Sequence, residues 1–112
     1  MEISVQTEAD KQTAVITVKG DIDLYSSPQV RQTILDTLNE KHAKRVIVNL
    51  AAVRYVDSSG VASLVEGLQL SRKSQVRFVL CGLNKAPLQV LELTRLVKVF
   101  EIHDTLETAL AA

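Results

Sequence analysis

Hydrophobic positions along the chain change period several times, and each change marks an element. Residues 2–7, EISVQT, alternate, with Ile3 and Val5 on one side; after the polar run EADKQ, residues 13–20, TAVITVKG, alternate again with Ala14, Ile16 and Val18 together. Alternation is the mark of a half-buried strand, so these runs predict an antiparallel pair. Residues 26–40, SSPQVRQTILDTLNE, then switch to helical spacing. Val30, Ile34, Leu35 and Leu38 make one stripe, with Ser27 placed as an N-cap and Pro28 as the first helical residue.

KRVIVNL, residues 44–50, is short, β-branched and almost continuously apolar, as expected of a strand covered on both faces. Beyond the turn DSSG at 57–60, Val61, Leu64, Val65 and Leu68 recur at helical intervals and leave Glu66, Gln69 and Lys73 to water. VRFVLCG (76–82) reads as a second buried strand. NKAPLQVLELTRL (84–96) reads as a helix, with Asn84 as its cap and Pro87 in the first turn, where a missing N–H does least harm. KVFEI (98–102) is a brief strand, and DTLETALAA (104–112) a last helix whose Asp104 and Glu107 stand at capping-box spacing. The order ββαβαβαβα predicts an α/β fold with a mixed sheet of four to five strands. Its antiparallel start gives way to parallel strands joined by right-handed, helix-bearing crossovers.

At 112 residues, the chain is long enough for one domain spanning 1–112. A hydrophobic fraction of 46% against 23% charged places it among globular proteins rather than disordered ones. Thirteen basic residues balance thirteen acidic ones, which removes the driving force for non-specific binding to nucleic acid or anionic membranes. Cys81 stands alone, so the reading is a buried thiol in a reducing compartment. The acidic, alternating start does not resemble a secretory signal, and no apolar run approaches the ~18 residues of a membrane span. These features predict a cytoplasmic domain, with a monomer as the default for a neutral surface lacking an exposed heptad.

The turn at 57–60 concentrates the candidate chemistry. It follows a strand and opens a helix, so its backbone amides are unpaired and carry the positive end of the helix dipole. One reading is local: Ser58 or Ser59 caps the helix, Asp57 adds favourable charge and Gly60 permits a tight bend. The other is that one hydroxyl takes up a phosphoryl group, which the same amides would hold and which would add about −1.5 to −2 of charge. Against an acidic group of a partner about 5 Å away, each unit of that charge repels by ~3 kcal/mol at an effective dielectric of 20. Half of that weakens binding about tenfold. GDIDLYSS, residues 20–27, adds Asp21, Asp23 and Tyr25 in a connection that a crossover can bring near the serine turn.

Enzyme chemistry finds little support. His42 and His103 have no motif linking them to Ser58, and neither a G-x-S-x-G elbow nor a phosphate-binding G-x-x-x-x-G-K-[ST] loop is present. One cysteine and two scattered histidines make a poor zinc set, so no catalytic residue, metal or cofactor is expected.

GDIDLYSSPQVRQTI, KRVIVNLAAVRYVDSSGVASLVE, CGLNKAPLQVLELTRL and KVFEIHDTLETAL resemble, in order and spacing, the bacterial anti-sigma factor antagonists, or STAS domains. The resemblance covers essentially the whole chain, and D-S-S-G after a β-branched strand is its specific part. It implies a mixed sheet with helices packed mainly on one face. It also implies partner switching: the unmodified protein binds an anti-sigma factor that is a serine kinase, phosphorylation of the serine after the motif aspartate releases it, and a phosphatase resets the cycle. By position the phosphoacceptor is Ser58, with Ser59 the neighbouring candidate, and the partner-binding and switch residues are Asp23, Asp57, Ser58, Ser59, Gly60 and Val61. The chain departs from the family pattern in two places: Asn49 stands where many relatives carry Asp, and Ala62 and Ser63 replace a glycine step. The alternative that the resemblance implies is a STAS subunit of a lipid-type ABC transporter that binds and supports the ATPase.

Overall fold

In the computed structural model, which describes residues 1–40 and 42–112, five strands lie side by side in sequence order: β1 (Glu2–Thr7), β2 (Thr13–Lys19), β3 (Arg45–Ala52), β4 (Arg77–Cys81) and β5 (Glu101–His103). The helices are α1 (Ser27–Glu40), α2 (Ser58–Lys73), α3 (Lys85–Leu93) and α4 (Leu106–Ala111), giving the order ββαβαβαβα. β1 and β2 are antiparallel, and β2 through β5 are mutually parallel. A short polar turn suffices for the first connection, whereas every parallel neighbour needs a crossover that carries a helix.

The two sheet faces are covered unequally, and strand alternation decides which residues meet which helices. Ile16 and Val18 of β2, Val46, Val48 and Leu50 of β3, and Phe78 and Leu80 of β4 meet Val30 and Ile34 of α1, Val61, Leu64 and Leu68 of α2, and Leu91 of α3. The intervening Val15, Ile47, Val79 and Cys81 point the other way, under Ala109, Leu106 and Leu110 of α4. Three helices against one short one is the one-sided layering expected, and it explains why β3 is apolar on both faces.

α1 and α2 approach closely at Gly67, where an added Cβ would come within 3.0 Å of Phe78 Cζ and 3.1 Å of Ile34 Cγ2. Buried Ser63 lies at the same helix pair, with Oγ 3.3 Å from Ser27 O and 3.1 Å from Ser59 O. Ala62, by contrast, faces out. Arg31 Nε and Glu66 Oε2 join the same two helices at 2.6 Å.

Several boundaries differ from the sequence reading. α1 begins at Ser27, so the capping position falls on Ser26, whose carbonyl accepts from Gln29 N and Val30 N. α3 stops at Leu93, three residues early, because Arg95 adopts a left-handed conformation (φ 61°) while Arg95 N and Leu96 N donate back to Glu92 O and Leu91 O. α2 ends the same way at Gln75 (φ 59°), with Gln75 N and Val76 N donating to Arg72 O and Ser71 O. Both are Schellman endings built without glycine. The capping box of α4 uses Thr105 and Thr108 rather than Asp104 and Glu107: each threonine hydroxyl accepts from the other's backbone N–H at 3.1 Å.

Candidate functional site

The C-terminal ends of parallel strands β2, β3 and β4 place three connections at one edge of the sheet. Sheet order makes residues 20–26 and 53–57 neighbours, although residues 27–52 of the chain lie between them. Past the strand ends the pairing continues: Ile22 and Val56 form a parallel bridge, Ile22 N donates to Tyr55 O at 2.9 Å, and Asp57 N donates to Ile22 O at 3.0 Å. The connection after β4 joins through Asn84. Its backbone occupies the N-cap position of α3, but its side chain makes no cap; Nδ2 donates instead to Ala51 O at 3.0 Å and Val53 O at 2.8 Å.

Asp57 is the N-cap of α2. Its Oδ1 accepts from Gly60 N at 3.0 Å, and its Oδ2 accepts from Leu24 N at 3.1 Å in the facing loop. The local reading of the turn is therefore right about capping and wrong about which side chain performs it, since neither serine hydroxyl is the cap. Ser58 is the first residue of the helix and is exposed, and Ser59 is half-buried. The amides of both make no hydrogen bond among the described residues, which leaves two donors at the positive end of α2 beside a free hydroxyl.

Gly60 and Val61, expected in the partner-binding set, are buried and shape the turn from within. Val61 belongs to the core between sheet and helices. At Gly60 a Cβ would sit 2.7 Å from Val56 Cγ1, 2.8 Å from Ile22 Cγ2 and 2.9 Å from Ile22 O. Real Cβ atoms do not approach that closely, so glycine is what lets the start of α2 rest on the Ile22 backbone.

Asp23 lies in the loop that Asp57 grips. Its Oδ1 accepts from Tyr25 N, Ser26 N and Ser26 Oγ, at 3.0, 3.0 and 3.1 Å. The Ser26 amide is the main reason that its carboxyl is held below the ordinary value, with the Ser26 hydroxyl and Tyr25 amide adding to it. Asp23 thus folds a tight local turn that pushes the next two side chains into water: Leu24 is 65% exposed and Tyr25 91%, and Tyr55 on the adjoining loop is 51% exposed. The sequence alone did not mark Leu24, Tyr55 or Asn84 as site residues. The available signal was an apolar or aromatic residue inside each of two polar loops, LY at 24–25 and RY at 54–55.

Other candidates fall elsewhere. His103 Nε2 bonds Glu101 Oε2 at 2.8 Å on β5, and no hydrogen bond joins either histidine to Ser58 among the described residues. Cys81 is buried, which pushes its thiol up to about 11. Asn49 lies inside β3, where its Oδ1 accepts from Ala51 N at 3.1 Å. No helix among the described residues is long and apolar enough to cross a membrane.

Comparison with known proteins agrees with this arrangement. The family model described as STAS domain matches residues 4–109. The anti-sigma-B factor antagonist of Listeria monocytogenes is 32% identical over 105 residues, covering 93% of this chain and 91% of that protein. Among solved structures, an anti-sigma factor antagonist from Mycobacterium paratuberculosis superposes with a TM-score of 0.83 at 25% identity, over 98% of this chain and 92% of the other. The Bacillus cell fate determinant SpoIIAA in its phosphorylated form shares the fold with a TM-score of 0.74 at 20% identity, over 98% and 97% of the two chains. With the serine turn and nearly all of the sheet inside the matched region, the chain belongs to the STAS domain family.

Proposed function

We propose that this protein is an anti-sigma factor antagonist whose binding surface is the sheet edge around Ser58, switched by phosphorylation of that serine. The carrying observation is exposed Ser58 at the start of α2, beside two amides unpaired among the described residues and next to loops that expose Leu24, Tyr25 and Tyr55. Solvent-facing leucine and tyrosine side chains grouped on rigid loops are the material of protein interfaces. A phosphoryl group among them is accepted by the free amides and opposes docking by charge and by the cost of desolvating it.

In this reading the unmodified protein docks on an anti-sigma factor with serine kinase activity and frees the sigma factor. The kinase then phosphorylates Ser58, with Ser59 the neighbouring acceptor, and a phosphatase restores the binding form. The protein is substrate and binder rather than catalyst, acts in the cytoplasm and is a monomer when free. The named function of the relatives, and the phosphorylated state of one protein with this fold, support it.

The test is residue-resolved phosphorylation mapping of the protein isolated from its own cells, together with co-purification of tagged wild type, Ser58→Asp and Ser58→Ala. Phosphate on Ser58, capture of a serine kinase by wild type and the alanine variant, and at least about tenfold less by the aspartate variant are expected. Equal capture by all three would remove Ser58 as the switch. Capture of a transporter ATPase instead would make the turn a constitutive contact.

A further inference from the structure

Asp57 uses its two carboxylate oxygens on two different elements. Oδ1 holds Gly60 N at the start of α2, and Oδ2 holds Leu24 N in the loop between β2 and α1, with Ser58 as the next residue in the chain. The two bonds are unequal in setting. Gly60 is buried and its amide belongs to the helix end, where the dipole strengthens a carboxylate contact. Leu24 is exposed, and the bond from its amide to Asp57 crosses between loops.

The residues after Leu24 have their own anchor, because Asp23 Oδ1 accepts from Tyr25 N and Ser26 N, and Asp23 O accepts from Ser27 N. Before it, Ile22 is tied to Tyr55 and Asp57 by backbone hydrogen bonds. Leu24 N is thus joined to the serine turn by the Asp57 side chain alone among the described residues, and the loop can shift there without undoing its neighbours.

From this geometry, and resting on the reading that Ser58 accepts a phosphoryl group, we infer that Asp57 relays the charge state of Ser58 to the apolar knuckle Leu24–Tyr25. A phosphoryl group on Ser58 Oγ takes the unpaired Ser58 and Ser59 amides and repels the adjacent carboxylate. The Oδ1 cap, backed by the helix dipole, holds, while the Oδ2 bond to Leu24 N gives way. The knuckle then leaves the pose in which a partner with an apolar recess grips it. Phosphorylation in this scheme adds charge to the interface and also re-poses its apolar anchor, with Asp57 as the positioning residue.

Amide hydrogen exchange of the isotopically labelled full chain tests the relay, with phosphoserine installed at position 58 during translation so that no cognate kinase is needed. Leu24 N–H exchange is expected to quicken about tenfold or more on phosphorylation while Gly60 N–H stays protected, the scale of losing one charge-assisted hydrogen bond. Unchanged Leu24 exchange would overturn the relay, as would equal loss of protection at Gly60, which would mean fraying of the whole helix end. Asp57→Asn provides the second arm. Asparagine has a single acceptor oxygen, which can serve the Gly60 cap but not Leu24 N as well, so the Leu24 bond is already absent in the variant. Its Leu24 exchange should then be fast without phosphoserine and the ratio with and without it should fall to about one, and a ratio that persisted would also overturn the relay. The proposed function fails separately, if cells never phosphorylate Ser58 or the modified protein keeps its partner.

Discussion

Asn84 Nδ2 donates to Val53 O at 2.8 Å and to Ala51 O at 3.0 Å, so one amide group from the connection after β4 fastens the connection that precedes the serine turn. Replacing it by alanine leaves two carbonyls without this donor. For Asn84→Ala we expect a loss of about 1–2 kcal/mol. In urea this appears as a lower midpoint with an unchanged slope. A midpoint equal to wild type would show that water substitutes fully for the side chain.

Gly60→Ala is expected to be worse than its chemistry suggests. The new methyl would meet Val56, Ile22 Cγ2 and the Ile22 carbonyl oxygen at 2.7–2.9 Å, and the carbonyl belongs to backbone that is itself hydrogen-bonded to Asp57. Helix and loop must part, at a cost of about 1–3 kcal/mol. The Gly60 N–Asp57 Oδ1 cap should weaken with them. Thermal unfolding reads the first effect, and exchange of the Gly60-position amide the second.

Leu24→Ser and Tyr25→Ser separate stability from binding. Both side chains lie largely in water, so unfolding free energies should stay within about 0.5 kcal/mol of wild type. If the knuckle is a partner anchor, each variant binds the captured partner about tenfold or more weakly. Wild-type affinity in both, measured by titration calorimetry, would take the knuckle out of the interface.

A pH dependence is expected at the opposite edge of the sheet. Arg77 on β4 pairs with Glu101 on β5 and holds its carboxyl down at about 2 against an ordinary 4.5, with the His103 contact adding to the effect. A carboxyl with a depressed folded value stabilises the protein above its unfolded pKa. That contribution disappears as pH falls from about 4.5 through about 2. Because the pair is substantially exposed, we expect only about 1 kcal/mol. Glu101→Gln should therefore be less stable than wild type at neutral pH and converge with it below pH 2, as read by urea midpoints across that window.

Burial periodicity carried most of the fold in the linear sequence. Ile16 with Val18, and Val61 with Leu64 and Leu68, can be buried together only as one strand face and one helix face respectively, so element types and order followed from the spacing. Ends were less legible for a specific reason. Gln75 and Arg95 terminate helices in left-handed conformations that sequence reasoning assigns to glycine, and the surrounding packing holds them there. Asn84 shows a similar limit, since an amide in a cap position can find better acceptors on another loop.

That residues 57–60 form a strand-to-helix turn with Ser58 and Ser59 at the dipole end was legible in the linear order of residues, because strand and helix periods meet there and DSSG has the right cap and bend chemistry. It took the three-dimensional arrangement to show that Asp57 rather than a serine is the cap, that Leu24, Tyr25 and Tyr55 are exposed on loops hydrogen-bonded to one another beside the turn, and that Gly60 and Val61 face inward. The reason is that loops have no period to read. The surroundings of Ser58 depend on β2 lying next to β3 in the sheet, a long-range pairing that brings Leu24 to Asp57 across 33 positions of chain.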